Sequence, residues 1–214
     1  MGMTLDAMVR SGSQSISVSI IGPPTGASVV VAGTTFRCSG SGKSTTQITA
    51  KNLQFGPAAG PVFDMRGHST LVVENCLFTT GSGGSNNYPP IYSASVYAVS
   101  ISITSSIFIN SGSSSPSSCA AVLMSNNDGG RSKLTVSKSG FESLVGNPGR
   151  PSTSATVTGC TFVNNNWAQG AALVEWNVVG SFSQSGNKFT GNKCTARNCK
   201  ASGVCKPNKY SKCQ

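Results

Sequence analysis

Charge is what this sequence has least of. Charged residues occupy 10% of its 214 positions, with six acids and one histidine, against about 25% in an ordinary globular domain. Glu, Lys and Leu, which favour helices, are scarce, and this excludes a coiled coil and most helical bundles. No apolar run reaches about 18 residues, so the sequence predicts no transmembrane segment. The hydrophobic fraction of 37% still argues against simple disorder.

Secretion signals and glycosylation sites are absent as well. The N-terminus lacks the basic segment and the long apolar segment of a signal peptide, so we expect that a signal was removed or that the chain is part of something longer. No Asn-x-Ser/Thr site for N-glycosylation occurs. Eight cysteines in a chain rich in Ser, Gly and Asn nevertheless favour an oxidising compartment. The expected localisation is extracellular or at the cell surface.

A repeat organised around phenylalanine is the main positive feature. Its phenylalanines recur at intervals of 19 to 33 residues: Phe36, Phe55, Phe78, Phe108, Phe141, Phe162 and Phe189. Apolar residues stand seven and five positions before them, and Gln184 is the one polar exception. Apolar residues two positions apart predict a strand with one buried side. Gly, Asn or Ser then predicts a turn before the phenylalanine.

Units of this size cannot bury an apolar face alone, but they can when they stack. The sequence therefore predicts an all-β fold of about seven coils, with about 4.8 Å between paired strands. An antiparallel β-sandwich also has many short strands, but it gives no reason for one motif to recur seven times. The predicted organisation is an N-terminal cap or fragment start over 1–14, a coil domain over 15–192 and a basic cysteine-rich tail over 193–214.

Several segments resemble known repeats. Three segments resemble the strand-turn-strand repeat of the pectin-lyase-like superfamily: LVVENCLF (71–78), SISITSSIF (100–108) and ATVTGCTFVNNN (155–166). Two motifs resemble those of polymorphic outer-membrane proteins, which are surface proteins. Residues 162–165 and 189–192 match Phe-x-x-Asn, and GAAL (170–173) approximates Gly-Gly-Ala-Ile. The resemblance implies a single-stranded right-handed parallel β-helix with a structural or adhesive role. From the superfamily's enzymes it implies, alternatively, a polysaccharide lyase or glycoside hydrolase.

Those enzymes cluster carboxylates on one outer face, either as an acid/base pair or with calcium and a basic residue. Asp64, Arg66 and His68 alternate in PVFDMRGHST, and Glu74 takes an outward position in LVVEN. On one strand the first three would share a face, so these four are the catalytic candidates of the enzyme hypothesis. We favour a surface ion pair beside a turn histidine, because no Asp-Asp pair or further acid cluster is present.

A second candidate surface consists of hydroxyl side chains at outward positions of four repeats: Ser102, Thr104, Thr135, Ser137, Thr156, Thr158, Ser183 and Ser185. Stacked coils would align them in a flat array, which resembles surfaces that bind ice or crystalline polysaccharide. Ser and Thr are also ordinary strand-surface residues where charge is scarce. Trp167 and Trp176 flank the GAAL segment and are suited either to stacking on a sugar ring or to packing against loops.

The C-terminal region differs from the rest. Residues 188–214 have seven Lys or Arg and no acid, which is +7 of the net charge of +10. Cys194, Cys199, Cys205 and Cys213 are predicted to form disulfides among themselves. Zinc is the alternative, but it prefers Cys-x-x-Cys pairs, which the tail lacks. The basic residues either recruit an acidic polysaccharide or another polyanion at the cell surface, or only keep the tail soluble.

Cys76 and Cys160 each precede a repeat phenylalanine by two residues. The predicted stack separates them by three coils, or about 14 Å, whereas a disulfide tolerates about 7 Å between Cα atoms. They are therefore expected not to be joined to each other, and to be buried fillers or bonded elsewhere.

SGSGKSTT (39–46) resembles the end of a phosphate-binding loop, but the full motif needs Gly where the chain has Arg37, and a helix after it. The residues that follow have strand periodicity, so we expect no nucleotide, and nothing indicates a cofactor or a metal. The expected function is a non-catalytic structural, adhesive or glycan-binding module. A polysaccharide lyase or hydrolase and an ice-binding protein are the alternatives.

Overall fold

The computed structural model describes twelve parts of the chain: 9–11, 15–24, 30–40, 44–56, 60–80, 89–110, 121–124, 131–142, 153–167, 182–194, 205–206 and 212–213. These residues form an all-β structure without a helix. Accordingly, they include no helix that is long and apolar enough to cross a membrane.

The strands are short and follow one another closely. The first twelve are β1 (Val9–Ser11), β2 (Ile16–Ile21), β3 (Val30–Val31), β4 (Phe36–Gly40), β5 (Thr46–Lys51), β6 (Gln54–Phe55), β7 (Phe63–Arg66), β8 (Ser69–Glu74), β9 (Leu77–Thr80), β10 (Ile91–Ser93), β11 (Val99–Thr104) and β12 (Ile107–Asn110). The others are β13 (Val122–Met124), β14 (Ser132–Ser137), β15 (Gly140–Glu142), β16 (Thr153–Thr158), β17 (Thr161–Val163), β18 (Asn166–Trp167), β19 (Phe182–Ser185), β20 (Lys188–Thr190), β21 (Lys193–Cys194), β22 (Cys205–Lys206) and β23 (Lys212–Cys213).

From β1 to β15, consecutive strands enter three parallel sheets in turn, and β16, β17, β19 and β20 extend two of these sheets. Sheet A has the order β1-β4-β7-β10-β13, sheet B the order β2-β5-β8-β11-β14-β16-β19, and sheet C the order β3-β6-β9-β12-β15-β17-β20. Each strand pairs in parallel with its equivalent one passage earlier and later. A passage through the sheets is here termed a coil. The predicted stack of coils is confirmed at this level, the arrangement is compatible with a β-helix, and the antiparallel sandwich is wrong.

Strands outside the predicted coil domain of 15–192 pair with strands inside it at both ends. Strand β1 pairs with β4, so sheet A includes residues 9–11 of the predicted N-terminal cap or fragment start. Strand β21 pairs in parallel with β18. In the predicted tail, β22 and β23 pair in antiparallel fashion, with Cys205 opposite Cys213.

Two apolar columns of sheet B fill the core. One consists of Ile48, Leu71, Ile101, Leu134 and Ala155, and the other of Ala50, Val73, Ile103, Val136 and Val157. These side chains are all at most 3% exposed. The positions seven and five residues before the phenylalanines from Phe55 to Phe162 therefore face inward, as the spacing predicted. Gln184 pairs with Val157 but is exposed.

Phenylalanines form a continuous stack along sheet C. Their ring centroids are 4.5 to 5.2 Å apart from Phe55 through to Phe189, with interplanar angles of 19° or less. Parallel strand register places each ring on the next, and stacking adds to the stabilisation from burial. The ring ladder predicted from the sequence is confirmed for these six residues.

The first repeat differs from the prediction. Phe36 lies in β4 of sheet A and stacks on Phe63 at 5.5 Å, so it is outside the sheet C column. Val31 of β3 takes the equivalent place and pairs with Phe55. Because the interval from Phe36 to Phe55 is close to one coil, spacing alone assigned Phe36 to the wrong sheet.

In the six coils from β5 to β20, one residue bends the chain between sheets B and C. At these positions φ is between 50° and 63°: Asn52, Asn75, Ser105, Lys138, Gly159 and Gly186. Glycine adopts this left-handed conformation without a steric cost, and asparagine tolerates it better than most residues. The sequence therefore showed a turn at most of these positions, but not at Lys138.

At several of these corners, the side chain of the residue after the bend connects neighbouring coils. The backbone N–H of Cys76 donates to Ser106 Oγ at 3.1 Å, and that of Ser106 donates to Ser139 Oγ at 3.2 Å. The N–H of Cys160 donates likewise to Asn187 Oδ1 at 2.9 Å. Side chains at this corner thus satisfy backbone groups that the sheets leave unpaired.

The Phe-x-x-Asn motif has a similar physical basis. Asn165 is fully buried, and its Nδ2 donates to the carbonyl of Phe141 at 3.0 Å. In the next coil, Asn192 Nδ2 donates to the carbonyl of Phe162 at 3.0 Å, and Asn192 Oδ1 accepts the backbone N–H of Asn165 at 2.9 Å. These asparagines join one coil to the next where the chain leaves sheet C.

Candidate functional site

Asp64 is an outward-facing residue that is nonetheless buried. Its neighbours in β7, Phe63 and Met65, point into the core, which places Asp64 on the outer side of sheet A. Its relative exposure is 1%. Arg37 Nε donates to Asp64 Oδ2 at 2.9 Å, and Arg66 Nε donates to Oδ1 at 2.9 Å and to Oδ2 at 3.1 Å. The carboxylate therefore bridges two guanidinium groups, each on a side chain about half exposed.

Arg37 is the member of this cluster that sequence reasoning missed. It lies 27 residues before Asp64 and was considered only as a mismatch to a phosphate-binding loop. Parallel pairing of β4 with β7 puts the two residues side by side. The strand predicted after that loop motif is β5, and among the described residues no helix follows Ser44.

The four predicted catalytic candidates do not converge. Asp64 and Arg66 are in contact on sheet A, whereas the ring of His68 packs against Tyr97 with centroids 4.8 Å apart. Glu74 ends β8 in sheet B and forms an ion pair with Lys51. The part of the chain that is described contains no group of three or more His, Cys, Asp or Glu side chains able to hold a metal ion.

The hydroxyl residues, in contrast, come together as two columns on the outer side of sheet B. One column is Ser102, Thr135, Thr156 and Ser183, and the other is Thr104, Ser137, Thr158 and Ser185. These eight residues are here termed the hydroxyl face. Neighbouring coils contribute adjacent members, so the face spans β11, β14, β16 and β19.

The hydroxyl face is accessible and internally ordered. Five of its residues are exposed and three are partly exposed. Thr104 Oγ1 and Ser137 Oγ lie 3.2 Å apart within hydrogen-bonding geometry, and Ser183 Oγ donates to Thr156 Oγ1 at 3.2 Å. Each hydroxyl has one donor and two acceptor positions, so these contacts leave capacity for a ligand. The arrangement is suited to many weak, uncharged hydrogen bonds with a regular partner.

A groove lies at the corner between sheets B and C, next to one end of the hydroxyl face. Its volume is about 280 Å³, and ten residues line it: Pro23, Pro24, Asn52, Leu53, Gln54, Asn75, Cys76, Leu77, Ser105 and Ile107. The sequence showed Asn52, Asn75 and Ser105 only as turn residues. Their alignment into one wall depends on strand register, which no local motif reveals.

The described thiols are unpaired and buried. Cys38, Cys76 and Cys160 are at most 3% exposed and form no disulfide. Burial raises the pKa of the Cys76 and Cys160 thiols, against backbone hydrogen bonds that lower it. Cys76 follows β8 and Cys160 follows β16, and β11 and β14 lie between those two strands in sheet B. Both cysteines are free, so the prediction that no bond joins them is confirmed. Both are small core residues.

We expect the buried thiol of Cys38 to make stability fall in alkaline solution. Burial, followed by the nearby Asp64 carboxylate, raises the pKa of Cys38 from 9.0 to about 12. The unfolded thiol loses its proton from about pH 9, while the folded thiol keeps it. The contribution of the protonated Cys38 thiol to the free energy of unfolding is therefore complete below pH 9 and is lost as the pH rises towards 12. The expected slope for this group is about 1.4 kcal/mol per pH unit.

Urea denaturation at pH 7, 9 and 10.5 tests this expectation. The free energy of unfolding should fall less steeply above pH 9 in a Cys38→Ala variant than in the parent protein. Equal slopes in the two proteins would show that Cys38 does not titrate differently on folding.

The remaining predicted site residues are not tested by the structure. Trp167 lies in β18, of which only the backbone is described, and Trp176 lies outside the described residues. Cys194, Cys205 and Cys213 have a described backbone only, and Cys199 lies outside. The tail disulfides therefore stay a prediction.

Comparison with known proteins adds no assignment. The chain matches no protein-family model, no curated protein and no solved structure.

Proposed function

We propose that the protein is an extracellular, non-catalytic β-helix of the right-handed, pectin-lyase-like type, and that its hydroxyl face binds an ordered polysaccharide. The observation that carries this proposal is the register of the face. Eight hydroxyl residues from four coils align in two columns on one sheet. A structural or adhesive role at the cell surface follows from such binding.

The dimensions of the face favour a regular ligand. Neighbouring strands are about 4.8 Å apart, and alternate residues of one strand are about 6.6 Å apart, so the hydroxyls form a two-dimensional lattice. A single hydrogen bond contributes only about 0.5 to 1.5 kcal/mol net. Useful affinity therefore requires several sites to be engaged at once, and the surface of an ordered polysaccharide offers hydroxyl groups at repeated intervals.

The acidic residues support this proposal over the hydrolase or lyase alternative. Asp64 is buried between two arginines, and Glu74 is paired with Lys51 on another sheet. Acid/base hydrolysis needs two carboxyl groups that flank one bond of the substrate. The described carboxylates that the sequence offered as candidates are instead engaged in separate ion pairs.

A charge placed in the middle of the face should abolish binding. In a Thr156→Lys variant a long cation replaces an exposed hydroxyl between Thr135 and Ser183, so we expect binding to microcrystalline cellulose and to chitin to fall at least tenfold. Thr190→Lys is the matched control, because Thr190 is exposed on sheet C, away from the face. Co-sedimentation with each polymer measures both variants.

Salt distinguishes the face from the basic tail. Binding by neutral hydroxyls should persist in 1 M NaCl, whereas electrostatic attraction to the tail is screened within about 3 Å at that ionic strength. An ice-affinity assay on the same variants tests the ice alternative. If neither polymer binds, or if both lysine variants lose binding equally, the proposed role of the hydroxyl face is wrong.

A further inference from the structure

The corner groove between sheets B and C is uncharged and has two chemically different sides. None of its ten lining residues is charged. Asn75 Nδ2 donates to Asn52 Oδ1 at 2.9 Å, which aligns the two side-chain amides of neighbouring coils. Within the described residues this leaves Asn52 Nδ2 as a donor and Asn75 Oδ1 as an acceptor. Gln54 and Ser105 add further polar groups to the lining.

The apolar side of the groove comes from sheet C and from the segment after β2. Leu77 and Ile107 lie in register on adjacent strands and face outward. Ile107 is 46% exposed, which is unusual for a large apolar side chain in this structure. Pro23 and Pro24 complete the lining. A ligand in the groove would therefore contact amides along one side and aliphatic carbons along the other.

The groove also continues from one end of the hydroxyl face. Thr104 is the last residue of β11 and belongs to the face, and Ser105, the next residue, lines the groove. Beyond this coil the outward columns of sheet B change, because Val72 and Glu74 pair with Ser102 and Thr104. A chain that lies along the hydroxyl face thus meets the groove where the hydroxyl columns end.

We propose that the corner groove binds a neutral sugar residue of the glycan that lies on the hydroxyl face, so this inference rests on the proposed function. A pyranose ring has a polar rim of hydroxyls for the amides and an apolar face of C–H groups for Leu77 and Ile107. The absence of charge from the lining disfavours uronate, sulfated or phosphorylated residues. A volume of about 280 Å³ is just below the usual range of about 300 to 1,000 Å³ for small-molecule sites, and therefore suits one or two rings.

The test uses glycine at two equivalent bends. Asn75→Gly removes one amide, while glycine keeps the left-handed backbone, since φ at Asn75 is 52°. Lys138→Gly makes the same backbone change at an equivalent bend that does not line the groove. We expect Asn75→Gly to weaken the binding of cellotetraose or tetra-N-acetylchitotetraose about tenfold, as for the loss of one or two hydrogen bonds. Lys138→Gly should leave affinity within a factor of two.

Isothermal titration gives the affinities, and the side-chain amide NMR signals of Asn52 and Asn75 report where the sugar binds. Ile107→Glu, a second variant, charges the apolar side and should also weaken binding at least tenfold. If neither tetrasaccharide perturbs these amide signals, or if Asn75→Gly and Lys138→Gly have equal effects, the groove is not the sugar site. Polymer binding that still depends on Thr156 would then show that only this inference fails. Loss of both would contradict the proposed function as well.

Discussion

Replacement of Phe108 with alanine is expected to lower the free energy of unfolding by about 3 to 5 kcal/mol. Phe108 is fully buried, and its ring lies between those of Phe78 and Phe141 at centroid distances of 4.5 and 5.2 Å. Truncation removes both stacking contacts and leaves a cavity that neighbouring coils can only partly fill. Chemical denaturation followed by circular dichroism would measure the change.

Phe189→Ala is the matched control for this prediction. Phe189 stacks on Phe162 but is only partly buried, so its loss should cost clearly less than the loss of Phe108. Because each coil contacts mainly its neighbours, hydrogen exchange in Phe108→Ala should increase first in the coils beside that position. Equal losses of stability in the two variants would contradict the expectation that a ring stacked on both sides contributes more than a ring at the end of the stack.

Replacement of Asp64 with asparagine should be the second large effect, with an expected loss of about 2 to 3 kcal/mol. The substitution keeps the shape of the side chain but removes the charge that holds Arg37 and Arg66. Hydrogen bonds to charged groups contribute more than neutral ones, about 1.5 to 3 kcal/mol each. The expected loss is smaller than the sum of two such bonds, because both arginines are about half exposed and can be solvated after the change.

Glu74→Gln provides the comparison, since Glu74 and Lys51 form an ion pair in which neither side chain is buried, whereas the Asp64 side chain is 2% exposed. Such pairs contribute about 0 to 1 kcal/mol. Thermal or urea denaturation at low and at high salt should show a large, weakly salt-dependent loss for Asp64→Asn and a small one for Glu74→Gln. An Asp64→Asn protein as stable as the parent would contradict the structural role of Asp64.

The sequence predicted the packing of sheet B well because its pattern is strict. Alternation of apolar and polar residues determines which side of a strand is buried, and inward apolar pairs recur before the phenylalanines from Phe55 to Phe162. The outward Ser and Thr residues follow from the same alternation. Strand register then needed only one assumption, that equivalent positions of successive repeats stack, and the pairing of Ser102 with Thr135 and of Thr135 with Thr156 agrees with it.

Sheet A was harder to predict, because its strands carry no constant marker. Phe36 resembled a repeat phenylalanine in spacing, yet it belongs to sheet A together with Phe63. Arg37 and Asp64 are 27 residues apart and share no local motif. Loops of variable length precede these strands, so sequence distance does not reveal which residues lie side by side.

By itself, then, the sequence determined the all-β class, the stacking of repeats, the buried phenylalanines and the outward hydroxyls, because these follow from a period of two and from one recurring side chain. Only the tertiary structure decided that Asp64 is buried between two arginines, that His68 and Glu74 contact other residues, and that Asn52 and Asn75 form one wall of a groove. Those features depend on contacts between coils. Such contacts are set by the lengths of the intervening loops and by strand pairing, which local composition does not encode.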